Sequence, residues 1–393
     1  MAVQEIVNRA EEIEADIIAW RRDFHAHPEL GFQEFRTARI VAETLTELGL
    51  EVVTGVGKTG VMAVIGEGTP VIGIRADMDA LPIMEANEVE YVSQSPGVMH
   101  ACGHDSHTAM LLGVARILAT MPDRPPGQIR LFFQPCEETT DAEGKSGAQR
   151  MVEEGALDGV DHVIALHVAS DLPAGKIIAN AGPLTAAVDD FNATIIGKGC
   201  HGAHPDEGID PIYLAAQVLN ALHGIRARRI NPIHPAVVTI GTIHGGAARN
   251  VIPDEVTISG TLRSYDPRIR EQLRDEVERA LGVARALGGD YNVEFIIGCP
   301  SVLNDAHVAE VMRAVATEVI GAENIIDHEP SMGGEDFSYM TNRAPGAMFL
   351  LGAKRDSVDR PHHNPLFDLD ESVFKIGTSI LTETTCRLLK EKA

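Results

Sequence analysis

The sequence predicts an α/β protein in two pieces, with a smaller α+β domain inserted between them. Three observations carry this expectation. Apolar strand-like runs alternate with amphipathic helical segments on both sides of the middle of the chain, as in a sheet covered by helices. From about Leu184 the order becomes strand, helix, strand, strand, helix, strand, the split βαββαβ unit of a ferredoxin-like domain. At 393 residues the chain is also longer than one compact core usually supports. The expected boundaries are 1–184 and 298–393 for the two pieces of the larger domain and 185–297 for the insert.

In chain order, residues 3–24 carry Ile6, Ile13, Ile17 and Trp20 on one helical face, and His25-Ala-His27-Pro28 ends that helix. His25 and His27 read as structural or surface residues. A second helix runs from about Glu34 to Leu48 and stops at Gly49. Strand-like runs at 51–54, 60–65 and 70–76 follow, and the last enters Asp77-Met-Asp79. Two carboxylates at the C-terminal end of a strand mark a crevice in an α/β sheet. Residues 108–118 form a helix with Met110, Leu111, Val114, Ile117 and Leu118 apolar, and Asp105 or Ser106 is the natural N-cap. A buried strand at 127–133, a helix at 147–154 and a strand at 160–167 complete the first piece. The insert has strands at 189–196, 236–244, 255–265 and 291–297, with helices at 211–228 and 267–287. The second piece contains a helix at 305–319, a short strand at 325–326, the Gly333-Gly334 loop, a strand at 347–352 and a final helix at 370–390.

Composition excludes several function classes. The formal net charge of -24 argues against nucleic acid, whose binding rests on basic patches. A small anionic substrate stays compatible, because metal ions and a few Arg can make a cleft locally positive. No apolar run reaches the roughly 18 residues of a membrane span. The first residues lack a basic segment followed by an apolar core, and the five Cys fall at uneven spacing. A cytoplasmic protein with reduced thiols is therefore expected.

The densest chemistry lies in Met99-His-Ala-Cys102-Gly-His104-Asp-Ser-His107-Thr108. A thiolate and an imidazole two residues apart, on a turn tightened by Gly103, are the ligand types that borderline-soft metals prefer. Glu137-Glu138 follows the buried strand, so one carboxylate can hold a metal while the other faces a water. A general base must keep its accepting oxygen off the metal. His167 ends the next strand, and one of His362 and His363 is available from a Pro-bounded loop. His162, at the opposite edge, is set aside. Five donors exceed the four of a closed structural zinc site and suit two metals sharing one ligand.

With these residues in place the sequence resembles the M20 metallopeptidases, in particular the amidohydrolase subfamily of hippurate hydrolases, N-acyl-amino-acid amidohydrolases and plant auxin-conjugate hydrolases. The resemblance runs through Trp20-Arg-Arg-Asp-Phe-His-Ala-His-Pro-Glu-Leu-Gly, Ile74-Arg-Ala-Asp-Met-Asp-Ala-Leu-Pro, the Cys102 cluster and Phe133-Gln-Pro-Cys-Glu-Glu. It continues in Gly197-Lys-Gly-Cys-His-Gly, Arg249-Asn-Val-Ile-Pro-Asp, Met332-Gly-Gly-Glu-Asp-Phe and His363-Asn-Pro-Leu-Phe-Asp. It implies a zinc-peptidase-like catalytic domain with a mixed sheet flanked by helices, and an insert acting as lid and dimerisation domain. It implies two divalent ions per subunit (Zn, Mn, Co or Ni) on Cys102, His104, Glu138, His167 and His363, with Cys102 bridging. Glu137 is then the base, Asp77 helps orient the site, and Arg75 stands where related branches carry a metal-binding His. Arg263, with Asn250 near it, matches the clamp for a substrate carboxylate. His201, on the Gly-rich Gly199-Cys-His201-Gly loop, matches a His that reaches across the dimer to the partner's substrate carbonyl. Two features depart from the family pattern: Cys136 stands where a small residue is usual, and 139–146 is longer than expected.

The expected reaction is hydrolysis of the amide bond of an N-acyl amino acid or small peptide-like amide by a metal-activated water with Glu137 as base. Three alternatives differ in what they require. An exopeptidase of the same fold would act on free-amine substrates. A thiol hydrolase using Cys102 with His104 or His107 would survive chelation but not alkylation. A metal-binding scaffold would tolerate loss of Glu137. Expected partners are a small molecule and a second copy of the chain, with no nucleic acid and no membrane.

Overall fold

The computed structural model describes residues 3–327 and 329–391, and the chain divides into two compact units. The first comprises Met1–Leu184, Leu303–Glu329 and Tyr339–Ala393; the second comprises Thr185–Val302 and Pro330–Ser338.

The first unit is built on a seven-stranded mixed sheet in the spatial order Glu51–Val56, Gly60–Glu67, Gly127–Gln134, Val71–Asp77, His162–Pro173, Gly346–Lys354 and Ile177–Ile178. The four strands from Gly127–Gln134 to Gly346–Lys354 run parallel, and the outer strands run antiparallel to their neighbours. Val71–Asp77 is buried along its whole length. That burial is why it reads as a near-continuous apolar run rather than an alternating one. Helices His104–Ala119 and Phe374–Glu391 pack on the central strands, Phe35–Glu47 on the first two strands and Ala306–Ile320 on Gly346–Lys354. His104–Ala119 is buried at every position except Arg116 and Ala119, because helices Glu14–Ala26 and Phe374–Glu391 cover what the sheet does not. A helix so enclosed carries apolar side chains all round.

Some boundaries differ from expectation. The first helix is two, Val3–Glu12 and Glu14–Ala26, interrupted at Ile13. The two pieces follow different partners: the first lies mainly on Phe374–Glu391, the second on His104–Ala119. Ile325 makes only an isolated bridge to Ile177 and no strand. The long helix of the insert is Pro267–Leu281 followed, after Gly282, by Val283–Ala286.

The second unit carries a four-stranded antiparallel sheet in the order Ala236–Gly245, Glu255–Ser264, Ala187–Ile196, Asp290–Ile297. Burial alternates along Ala187–Ile196. One face is therefore covered, and Phe191, Ala193 and Ile195 meet Leu214, Val218 and Leu222 of helix Pro211–Arg228 and Leu273 and Val277 of Pro267–Leu281. Both helices start with an Asp cap and a Pro: Asp210 accepts from Ile212 N–H and Asp266 from Arg268 N–H. Among the described residues, no helix is long and apolar enough to cross a membrane.

Candidate metal centre

The first unit gathers its chemistry at the C-terminal ends of its parallel strands. Asp77 lies opposite Gln134 in the ladder, and Arg75 opposite Ala165. Two residues further along each strand, Asp77 and His167 stand level. His167 does not end its strand as expected. His162–Pro173 continues past it, because Gly346–Lys354 still pairs with it and Leu350 lies opposite His167.

Gly103 sets the next element. It has φ +95°, a left-handed conformation, and a Cβ there would lie 2.4 Å from Val168. From it the helix His104–Ala119 starts, one turn earlier than the apolar pattern indicates. Neither Asp105 nor Ser106 is the N-cap. Asp105 is inside the first turn and accepts from Arg21 Nε at 3.0 Å, while His25 Nδ1 lies 2.7 Å from the same oxygen. Burial works against its charge, but Arg21 and His25 outweigh burial and hold its carboxyl well below the usual range. His25 is the buried structural histidine expected, placed between Asp105 and Glu85.

Backbone groups fix the tautomers of the histidines, since a carbonyl only accepts and an amide N–H only donates. His104 Nδ1 donates to Asp79 O at 2.9 Å, so Nε2 carries the lone pair whenever the ring is neutral. Burial lowers the His104 pKa, but Asp77 and Asp79 outweigh burial and push it up to about 10, so a bound cation would take the place of the Nε2 proton. Nε2 is buried with no hydrogen-bond partner, 3.7 Å from Asp77 Oδ2 and 3.9 Å from Glu138 Oε1. His167 Nδ1 donates to Val168 O at 2.7 Å, and its Nε2 faces Cys102 Sγ at 3.5 Å. His107 has the same tautomer, but both of its nitrogens are occupied. Its Nε2 accepts from Val168 N–H at 3.0 Å and its Nδ1 donates to Asp77 Oδ1 at 2.6 Å. Burial pushes the His107 pKa down to about 4 in spite of Asp77, so the ring is neutral at pH 7. Arg75 Nη1 lies 2.7 Å from Asp77 Oδ2 and its Nε donates to Gln134 Oε1 at 2.8 Å.

Five chain segments converge here. One donor atom each from Cys102, His104 and His167 lies within 4.8 Å of the others. The same holds for Cys102, Glu138 and His363, for His104, Glu137 and Glu138, and for Asp77, His104 and His107. Cys102 belongs to the first two groups. His363 Nε2 is 3.1 Å from Glu138 Oε1. Burial raises the Cys102 thiol well above its ordinary pKa, and Glu138, Glu137 and Asp77 raise it further. A bound cation inverts that sign. A sulfur, imidazoles and carboxylates around an unpartnered buried imidazole nitrogen fit a borderline divalent metal.

Sequence reasoning missed two supports. Asp79 accepts the Glu138 N–H at 3.0 Å and lies beside His104 Nδ1, so one carboxylate orients two of the converging side chains. The Asp77-Met-Asp79 spacing was the available signal. Glu34 accepts from Cys136 N–H at 2.8 Å, Phe32 N–H at 3.0 Å and Thr59 Oγ1 at 2.5 Å. It thereby holds the corner that turns Glu137-Glu138 inward. Burial and nearby Asp79 push its pKa from 4.5 up to about 7. Cys136 has φ +46° and its thiol donates to Thr139 O at 3.3 Å. Gly147 N–H donates to Cys136 O at 2.9 Å, and a Cβ on Gly147 would fall 1.6 Å from Pro135 O. In the following segment Asp141 binds Lys58 and Arg150 and accepts the N–H groups of Glu143 and Lys145.

The remaining expected site residues lie on the second unit. His201 pairs with Val251 in a two-residue ladder, and Gly202 N–H donates to Asn250 O at 2.8 Å, so His201 and Asn250 are neighbours. Both are exposed. His201 Nδ1 accepts from Ala203 N–H at 3.1 Å, which leaves its Nε2 proton available. Arg263 sits half-buried on Glu255–Ser264, opposite Val188.

The sequence pattern of Peptidase family M20/M25/M40 matches residues 73–387. The chain belongs to the M20 family. Curated M20 relatives are hydrolases. The chain is 41% identical over 382 residues to a thermostable carboxypeptidase 2 of Saccharolobus solfataricus, covering 95% of this chain and 96% of that one. It is 46% identical over 307 residues to an N-acyl-L-amino acid amidohydrolase of Geobacillus stearothermophilus, covering 77% and 82% respectively. Its fold is similar to the crystal structure of a Bacillus subtilis protein described as a dinuclear metal binding peptidase of the M20 family. That match has TM-score 0.83, 34% identity, and coverage of 97% of this chain and 99% of that one.

Proposed function

We propose that this M20 enzyme hydrolyses the amide bond of N-acyl amino acids at a two-metal centre held by Cys102, His104, Glu138, His167 and His363. The observation that carries the reading is the pair of donor groups sharing Cys102, with Glu137 beside His104 and Glu138. Two divalent ions (Zn, Mn, Co or Ni) held there supply acidity for a water and charge for a developing oxyanion.

The protein's own residues do the rest. Glu137 takes the water's proton and returns it to the leaving amine. Asp77 and Asp79 fix the imidazoles and the Glu138 backbone by the hydrogen bonds described above. The Nε2 proton of His201 is the donor for the carbonyl oxygen, acting on the partner subunit of a homodimer formed through the second unit. Asn250 and Arg263 hold the substrate's carboxylate, a match of planar donor to planar acceptor.

A second reading, carboxypeptidase activity, is favoured by the carboxypeptidase relative. It uses the same metals and the same carboxylate clamp, and differs only in what lies on the acyl side. Acetyl-, benzoyl- and indoleacetyl-amino acids assayed beside unblocked dipeptides separate the two. Cleavage of the acylated substrates with little activity on dipeptides supports amidohydrolysis; the reverse preference replaces it with the peptidase.

A further inference from the structure

Adjacent His362 and His363 both turn toward the metal centre, and the left-handed backbone at His363, φ +61°, allows it. Their surroundings differ. His363 lies 3.1 Å from a carboxylate. His362 Nε2 lies 3.4 Å from Ser170 N and accepts its proton. A backbone N–H can only donate, so Nε2 carries the lone pair and the ring's single proton sits on Nδ1. That Nδ1 is 3.7 Å from Cys102 Sγ. The ring is held between His167, centroids 5.3 Å apart at 62°, and Phe367 at 5.1 Å.

The arrangement is the reverse of the one at His104 and His167. There the Nδ1 proton is spent on a carbonyl and the Nε2 lone pair faces the cluster. We infer that His362 is not a metal ligand but the hydrogen-bond donor to the Cys102 sulfur, a positioning residue that sets how much charge the thiolate gives to the cation it holds. Hydrogen bonds to a ligating sulfur tune the metal it binds. With the donor in place the thiolate gives less charge, which keeps the centre a stronger Lewis acid. A ring whose only lone pair is already occupied by Ser170 N–H has none left for a metal.

The inference rests on the reading that Cys102 holds a metal, and the experiment separates the two. The protein is loaded with Co(II), and the near-ultraviolet sulfur-to-cobalt charge-transfer band is recorded with the metal content per chain. Wild type is expected to show the band and Cys102→Ser to lose it. A wild type without the band, or a band that survives Cys102→Ser, overturns both readings. With the band established, His362→Leu and His362→Gln are expected to move it to longer wavelength at unchanged metal content, since neither places a donor where Nδ1 stands. His362→Asn, whose amide nitrogen falls near that position, is expected to leave it close to wild type. A band unmoved in the Leu and Gln variants at full metal content overturns the hydrogen bond. Loss of one metal per chain in them makes His362 a ligand and overturns the inference alone. The Gln variant carries the test if the Leu variant does not fold.

Discussion

At the scale of single residues, the account divides adjacent carboxylates by role. Glu137→Gln is expected to keep metal and fold while losing at least ~100-fold in turnover, the usual scale of a general base. Glu138→Gln is expected to lower metal content instead. Metal analysis beside kcat reads both, and swapped phenotypes would reverse the assignment. Cys102→Ser is expected to lose metal as well as rate, because a hydroxyl is a poor replacement for a soft thiolate. The sequence displayed the donor types, since Cys-x-His and Glu-Glu are local. It displayed Asp79 only as one of two carboxylates at a strand end, and did not display what Asp79 holds, the role of Glu34 or the tautomers. Those depend on partners far along the chain, such as Val168 for His107 and Cys136 for Glu34. Hydrogen bonds of that kind leave no periodic trace.

At the scale of elements, two corners position the centre. Gly103 is required by its left-handed φ and by Val168. Gly103→Ala is expected to cost about 1–3 kcal/mol, read as a lowered Tm with reduced metal content. At the other corner, Glu34 is a buried carboxyl with a raised pKa. The native state then holds a proton that the unfolded state has released, so its contribution is fully present below about pH 4.5 and is lost as pH rises to about 7. Glu34→Gln removes this titration, and its Tm relative to wild type is expected to rise across that window. A constant difference between the two proteins would contradict a raised pKa. The existence of the longer helices and strands was legible from apolar period; their ends and the two-residue strands were not. The helix at His104 starts at a glycine in a conformation that no hydrophobic pattern encodes. His167 sits inside a strand whose length depends on pairing with Gly346–Lys354.

At the scale of the whole molecule, the centre draws on the first and last of the three sequence pieces of the first unit, from Asp77 to His363, and the second unit carries His201, Asn250 and Arg263. The βαββαβ order of the second unit could be read from the chain because each strand and helix there is one periodic segment. The grouping of Pro330–Ser338 with that unit could not, since a short irregular segment has no period. If His201 acts across a dimer, mixing His201→Ala with Glu137→Gln is expected to restore activity once subunits exchange. No recovery despite proven exchange removes the trans role. The central claim is metal-dependent amide hydrolysis at the Cys102 centre. It is tested most directly by stripping the protein with a chelator and titrating Mn, Co, Ni or Zn back while hydrolysis of an N-acyl amino acid is followed. The account predicts no activity in the stripped protein and recovery that saturates near two ions per chain; an undiminished rate in fully demetallated protein would contradict it.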